Sequence, residues 1–139
     1  MSDVQVFADV EAAVKAWAKA HPLLTPLIAG RVFLAPNANS AAHIHLERVG
    51  GTADASEAPV DHARIRFHCW SPNNNQAAAI AYTVMRACRE MTANTPMGAA
   101  AVGFGARVLS GPVPVRIEAD QLAGWHRYRL DVEFSIRAA

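Results

Sequence analysis

The sequence predicts an α+β fold, in which an antiparallel or mixed β-sheet of about five strands has two main helices packed on one face. Three observations lead to this prediction. Two segments place apolar residues at helical spacing, and several others alternate apolar and polar residues. The strand segments follow one another with only turns or a loop between them, which favours antiparallel or mixed pairing. At 139 residues, with neither an internal repeat nor a dividing linker, the chain is expected to form one domain over residues 1–139.

The first predicted element is an amphipathic helix. Asp9 is a suitable N-cap for it. The apolar residues that recur at helical spacing are Val10, Ala13, Val14 and Trp17. We expect this helix to end at His21, because Pro22 opposes helical geometry in the residue before it. Pro22 can then lie in the first turn of a short second helix over residues 23–28, which Gly30 closes.

The next part of the chain predicts two strands, each followed by a loop. A short strand is predicted at residues 31–34, and residues 36–40 have the composition of a loop. Residues 43–49 alternate as a strand that residues 50–51, two glycines, are predicted to end. Its two faces carry Ile44, Leu46 and Arg48 on one side, and His43, His45, Glu47 and Val49 on the other. Residues 52–59 are small, polar and acidic, which predicts a mobile loop.

The middle of the chain predicts a strand followed by the second main helix. Residues 60–70 alternate between two faces, with Ala63, Ile65, Phe67 and Cys69 on one and His62, Arg64, Arg66 and His68 on the other. After a turn rich in capping residues, a helix is expected over residues 76–91. Its apolar stripe consists of Ile80, Val84, Cys88 and Met91. At about 1.5 Å per residue, this helix is long enough to cross a small sheet.

Two strands are predicted at the end of the chain, after a stretch at residues 92–103 with little pattern. The first, residues 106–117, is interrupted by Gly111, Pro112 and Pro114, so it should be bulged or lie at an edge. The second, residues 125–137, alternates clearly, with His126, Tyr128, Leu130, Val132, Phe134 and Ile136 on its apolar side. The predicted core therefore combines Ile65, Phe67, Leu130, Val132 and Phe134 with the helix residues Trp17, Ile80 and Val84.

The composition excludes several classes of function. A net charge of +1 argues against nucleic-acid binding through bulk electrostatics and gives no reason to expect a membrane partner. Cys69 and Cys88 match no zinc or redox spacing, so we expect two reduced thiols. The first residues carry an acid and no apolar run, unlike a signal peptide, and no stretch approaches the roughly 20 apolar residues of a membrane span. We therefore expect a soluble protein made in a cytoplasm.

The strongest hint of enzyme chemistry is the pair His43 and His45. Histidines at positions i and i+2 of a strand point to one side and could hold a metal with a third ligand, such as His62 or His68, from the next strand. Small metal-binding β-barrels of the cupin kind also place an acid several residues later and surround the pair with glycines, whereas here Glu47 comes only two residues after His45 and the preceding stretch contains no glycine. We therefore interpret these histidines as surface residues on the solvated face of a strand.

Other reaction centres are not indicated either. The sequence has no Gly-x-Ser-x-Gly elbow and no phosphate-binding loop with Gly-Lys-Ser/Thr. Residues 103–105, Gly-Phe-Gly, lack the third glycine and the helix of a dinucleotide fingerprint. The expectation is a protein with no catalytic residue, no metal and no cofactor.

Rows of arginine are the remaining candidates for a functional site. Arg64 and Arg66 share one strand face, and Arg127 and Arg129 share another, beside acidic residues. The rows are either one half of mixed-charge cross-strand pairs on a solvated face or part of a surface that binds another protein, where arginine is enriched. Because positive and negative side chains are mixed on these strands, a protein partner is favoured over nucleic acid. Polar residues of the predicted loop complete the candidate interface: Thr52, Asp54 and Glu57.

Three stretches together resemble a known family. The first is residues 9–17, Asp-Val-Glu-Ala-Ala-Val-Lys-Ala-Trp, followed by Leu-Leu-Thr-Pro-Leu; the second is Arg-Val-Gly-Gly, an acidic loop and Ala-Pro-Val-Asp-His-Ala-Arg-Ile at residues 58–65. The third is His-Cys-Trp-Ser before an alanine-rich helix, with the closing Trp-His-Arg-Tyr-Arg-Leu-Asp-Val-Glu-Phe strand. In their order along the chain and in their residue patterns, these stretches resemble the tail terminator (minor tail, tail completion) proteins of long-tailed phages. The resemblance extends over nearly the whole chain. The second stretch is particularly similar to versions from phages of GC-rich actinobacterial hosts.

The resemblance implies a structural virion protein of α+β fold that is not an enzyme. Members of that family assemble as a hexameric ring on the last ring of the tail tube, stop its growth and offer their other face to the head connector. The implied partners are therefore further copies of the chain, the tail-tube protein and the head–tail connector or stopper, with neither a membrane nor sequence-specific nucleic acid. Two alternatives stay open: another neck or tail component, such as a head–tail stopper or tube subunit, and a small metal-dependent β-rich enzyme using His43 and His45.

Overall fold

The computed structural model describes residues 7–35, 41–54, 59–116 and 124–139, and these form three helices and a six-stranded sheet. The helices are α1 (Val10–Ala20), α2 (Thr25–Ile28) and α3 (Asn74–Arg89). The strands are β1 (Val32–Phe33), β2 (His43–Asp54), β3 (Val60–Ser71), β4 (Thr95–Pro96), β5 (Ala101–Val115) and β6 (His126–Ala138). They lie in the order β1-β2-β3-β6-β5-β4, and all neighbours are antiparallel except β1 and β2. The predicted α+β fold is confirmed, with a mixed sheet of six strands.

Side-chain caps fix the starts of both main helices. At α1 a carboxylate oxygen of Asp9 accepts a hydrogen bond of 3.1 Å from the backbone N–H of Ala12, as predicted. At α3 the side chain of Asn73 accepts one of 3.2 Å from the N–H of Gln76, so this helix begins two residues earlier than its apolar pattern indicates. Among the described residues, no helix is both long enough and apolar enough to cross a membrane.

The hydrophobic core lies between the helices and one face of the sheet. This face is lined by Ala63, Ile65, Phe67 and Cys69 from β3 and by Leu130, Val132, Phe134 and Ile136 from β6, all fully buried. Trp17 of α1 packs edge-on against Phe134, with ring centroids 5.6 Å apart, and Phe67 lies 6.1 Å from Phe134. Ile80 and Val84 of α3 are buried in the same cluster. The predicted assignment of strand faces and of the core is therefore confirmed.

Strand β2 is longer than predicted. It does not end at the two glycines but continues to Asp54, with Thr52 opposite His62 in β3. The ladder shifts register between Arg48 and Gly50, as at a β-bulge. Gly51 has a φ of 102°, and a Cβ there would collide with the carbonyl oxygen of His62. The glycines thus let the strand bend and continue, and the prediction that residues 52–54 form a loop is wrong.

Strand β5 also begins earlier than predicted, at Ala101 instead of residue 106. Its first residues are small, and Gly103 leaves room for the side chain of Met97, since a Cβ there would lie 2.6 Å from that sulfur. Short strand β4 pairs with this segment, so part of the low-signal stretch belongs to the sheet. The predicted bulges are present, because the register between β5 and β6 shifts at three places.

Candidate functional site

The sheet face turned away from the helices, here called the open face, brings the four predicted arginines together. In the β3–β6 ladder, Arg127 lies opposite Trp70 and Arg129 opposite His68. Directly opposite residues point to the same side of a sheet, so Arg64, Arg66, Arg127 and Arg129 all lie on the open face. The sequence placed these residues on two separate strand faces, and the pairing of β3 with β6 joins them into one surface.

Ion pairs neutralise the middle of the open face. The guanidinium of Arg66 donates hydrogen bonds of 2.9 and 3.2 Å to the two carboxylate oxygens of Asp131, and this raises the pKa of Arg66. In the next row, Arg107 of β5 donates a bond of 3.3 Å to Glu133 of β6. These rows match the mixed-charge cross-strand pairs that the sequence left as one of two interpretations.

At one end of the open face the pattern is different. The guanidinium of Arg127 lies over the ring of Trp70, with 5.0 Å from its central carbon to the ring centroid. Among the described residues, its buried Nε has no hydrogen-bond partner. Burial and then the charge of Arg129 lower the pKa of Arg127. Arg127 is therefore a partly desolvated cation that makes no ion pair with a described residue.

The prediction that the histidines lie on a solvated surface is wrong for His43, which is 1% exposed. Its ring stacks on Trp70 at 6.3 Å and also contacts Phe33 and Trp125, at 5.7 and 5.6 Å. Its Nδ1 lies 2.9 Å from the carbonyl oxygen of Ala41. Phe33 and Trp125 come from distant parts of the sequence and cover this end of the open face, which no local pattern could indicate.

A second pair of histidines lies beside this aromatic cluster. The rings of His45 and His68 stack with centroids 5.1 Å apart, and Nε2 of the buried His68 is 3.1 Å from Oε1 of Glu47. This hydrogen bond lowers the pKa of Glu47, while burial lowers the pKa of His68. We therefore treat His68 as neutral, with Nε2–H donating to the carboxylate. In the described ranges, no group of three or more potential ligands is arranged to hold a metal ion.

The buried histidines predict acid sensitivity. Burial is the largest cause that lowers the pKa of His43, His45 and His68 below the ordinary 6.5. The unfolded chain therefore binds more protons than the folded chain below about pH 6.5, so stability should fall as the pH decreases through that value. Chemical denaturation at pH 7.5 and 5.5 measures the loss. His43→Phe keeps an aromatic ring in the cluster and should make the pH dependence shallower; an unchanged slope would contradict the assignment to His43.

The two thiols lie on the core side of the molecule. Cys69 and Cys88 are both buried, and burial raises the pKa of both, for Cys88 to about 12. A thiol that stays protonated and enclosed is a poor nucleophile and a poor metal ligand. This agrees with their predicted role as reduced core residues.

The part of the predicted loop that the structure describes, residues 52–54, lies at the opposite end of the sheet from Arg127. Thr52 is exposed at the end of β2, and strand β2 ends at Asp54. Glu57, in the connection to β3, lies outside the described residues. On the helix side of this hairpin, Arg48 holds Asp61 by two hydrogen bonds of 2.6 Å. This pair was not predicted, although the alternation of β2 puts Arg48 on its apolar face, where a charge requires a partner.

The fold and the open face define an α+β domain with one face buried in a core and the other lined by paired and unpaired charges. A chain in the virion of a native gene transfer agent particle has a similar structure. The similarity covers 93% of this chain and 93% of that one, with a TM-score of 0.56 and 20% sequence identity, so the two share a fold. No protein-family model and no curated protein sequence matches the chain.

Proposed function

We propose that the chain is a structural protein of a phage-like virion, and that within it the chain is the tail terminator. The observation that carries the proposal is the fold, which the chain shares over almost its full length with a chain of a virion particle. The tail-terminator role rests on the sequence, because the order of its segments and their residue patterns resemble those of tail terminators. The chain then caps the finished tail tube at the neck and joins it to the head connector.

The proposed protein is not an enzyme and needs no cofactor. Two observations support this proposal. In the middle of the open face, Arg66 and Arg107 form ion pairs with Asp131 and Glu133. Both thiols are buried in the core. The rival metal enzyme at His43 and His45 is disfavoured because the ring of His43 is enclosed by aromatic side chains.

A closed ring of identical subunits requires two different patches of each subunit to meet. We propose that the open face with Arg64, Arg66, Arg127 and Arg129 belongs to such contacts. The hairpin between β2 and β3 contributes the second set of candidates, Thr52, Asp54 and Glu57. To persist in a virion, each contact should bury more than roughly 1,000 Å² in total.

Removing the chain from an assembling particle tests the proposal. Without it, we expect tails of uncontrolled length that are not joined to heads, because no ring ends tube growth. Supplying the wild-type chain in trans should restore normal tails. A variant whose residues 55–58 are replaced by a glycine–serine linker of equal length should fold but restore them poorly. Normal, head-joined tails in the complete absence of the chain would rule out the terminator role, and normal tails with the linker variant would rule out the hairpin contact.

A further inference from the structure

The arginine ion pairs of the open face lie in its middle, and the arginines at its Trp70 end make none among the described residues. Arg66 and Arg107 each have a carboxylate partner within the sheet. Arg127 and Arg129, two rows further along β6, have no ion pair among the described residues, although Arg127 is partly buried. Among the described residues, the acidic group that acts on Arg127 is Glu47, and it is already bonded to His68.

An arrangement of this kind is costly for the free subunit. A guanidinium removed from water loses hydration, and a buried donor without an acceptor is not compensated. Arg127 carries both costs, because its Nε is buried and unpartnered while the neighbouring Arg129 repels it.

We infer that Arg127 and Arg129, flanked by His68, form a binding site for a carboxylate group presented by a neighbouring copy of this chain. The inference rests on the proposed function, which requires such copies in a ring. The guanidinium of Arg127 lies over the Trp70 ring, and the N–H groups of a guanidinium lie in one fixed plane whose geometry matches a carboxylate. The carboxylate would accept hydrogen bonds from the terminal N–H groups of Arg127 and from Arg129.

The surroundings favour a protein carboxylate over the phosphates of DNA. In the middle of the face Arg66 and Arg107 are paired with Asp131 and Glu133, so the described sheet offers no continuous row of free cations to an extended polyanion, whereas a single carboxylate needs only Arg127 and Arg129.

Arg127→Gln, compared with Arg107→Gln, tests the inference. Because Arg127 is strained by desolvation in the free subunit, Arg127→Gln should leave the subunit at least as resistant to chemical denaturation as the wild type. The same variant should weaken association between copies by about tenfold or more, since a charge-assisted bond is lost. Arg107→Gln removes an exposed pair and should leave both quantities unchanged. Sedimentation of the purified chain over a range of concentrations measures association; if the free wild type stays monomeric, cross-linking between copies in assembled particles gives the same comparison.

Normal association of Arg127→Gln would overturn the inference, and so would a parallel loss of subunit stability, which would mark Arg127 as a purely internal contact. Normal association with reduced binding to tubes or DNA would likewise overturn the assignment to a neighbouring copy. The failure of the proposed function is distinguishable: if the wild-type chain is found away from the tail end while Arg127→Gln still weakens self-association, the terminator role fails and the carboxylate site stands.

Discussion

Replacing Phe134 by alanine should lower the free energy of unfolding by about 3–5 kcal/mol. Phe134 is fully buried in β6, and its ring lies between Trp17 of α1 and Phe67 of β3. It therefore joins the first helix to the centre of the sheet. The alanine variant loses the transfer free energy of the ring and leaves a cavity that the surrounding strands can close only in part.

Urea denaturation of the variant and the wild type measures this loss. Tyr82→Ala is the matched control, because Tyr82 is an aromatic residue on the outer side of α3 and is 50% exposed. The control should change stability by no more than about 0.5 kcal/mol. A loss below about 1 kcal/mol for Phe134→Ala would contradict the assignment of β6 faces, since a fully buried aromatic ring cannot be removed at so small a cost.

Replacing Arg48 by alanine is expected to cost about 2 kcal/mol, the next largest effect. Arg48 donates through both terminal nitrogens to the two carboxylate oxygens of Asp61, which is only 4% exposed. Without Arg48 this carboxylate stays buried and loses two charge-assisted donors. The guanidinium is itself one-third exposed, so water can replace part of what is lost.

A double-mutant cycle separates the pair from its surroundings. Arg48→Ala combined with Asp61→Ala should be less destabilised than the sum of the two single variants, because neither then leaves an unpaired buried charge. Arg86→Ala, which removes an exposed pair with Glu90, should have an effect of about 0.5 kcal/mol or less. Additive effects of Arg48→Ala and Asp61→Ala would show that the pair does not couple in solution.

The elements with strong periodicity were predictable from the sequence, and those that depend on distant contacts were not. The alternation of β3 and β6 identified the core residues, because a strand with one buried face must place its apolar side chains at every second position. The glycines at 50 and 51 predict an end of β2 although the strand continues, since a bulge and a turn have the same local composition. The start of β5 was missed because small residues at 101–105 carry little pattern.

The candidate site was predictable in its residues and not in its arrangement. Alternation alone put arginines in rows, but only the pairing of β3 with β6 shows that Arg66 is neutralised by Asp131 while Arg127 is not. The burial of His43 depends on Phe33 and Trp125, which are brought in by β1 and by the segment before β6. Contacts of this kind are fixed by the tertiary structure, so no local pattern encodes them.

A reconstruction of the intact particle at a resolution that separates subunits tests the proposed role most directly. We expect a closed hexameric ring of this chain at the head-proximal end of the tail tube, in contact with the last tube ring on one side and the connector on the other. A carboxylate of the neighbouring copy should lie beside Arg127. The chain present as a single copy away from the neck, or absent from the particle, would contradict the assignment.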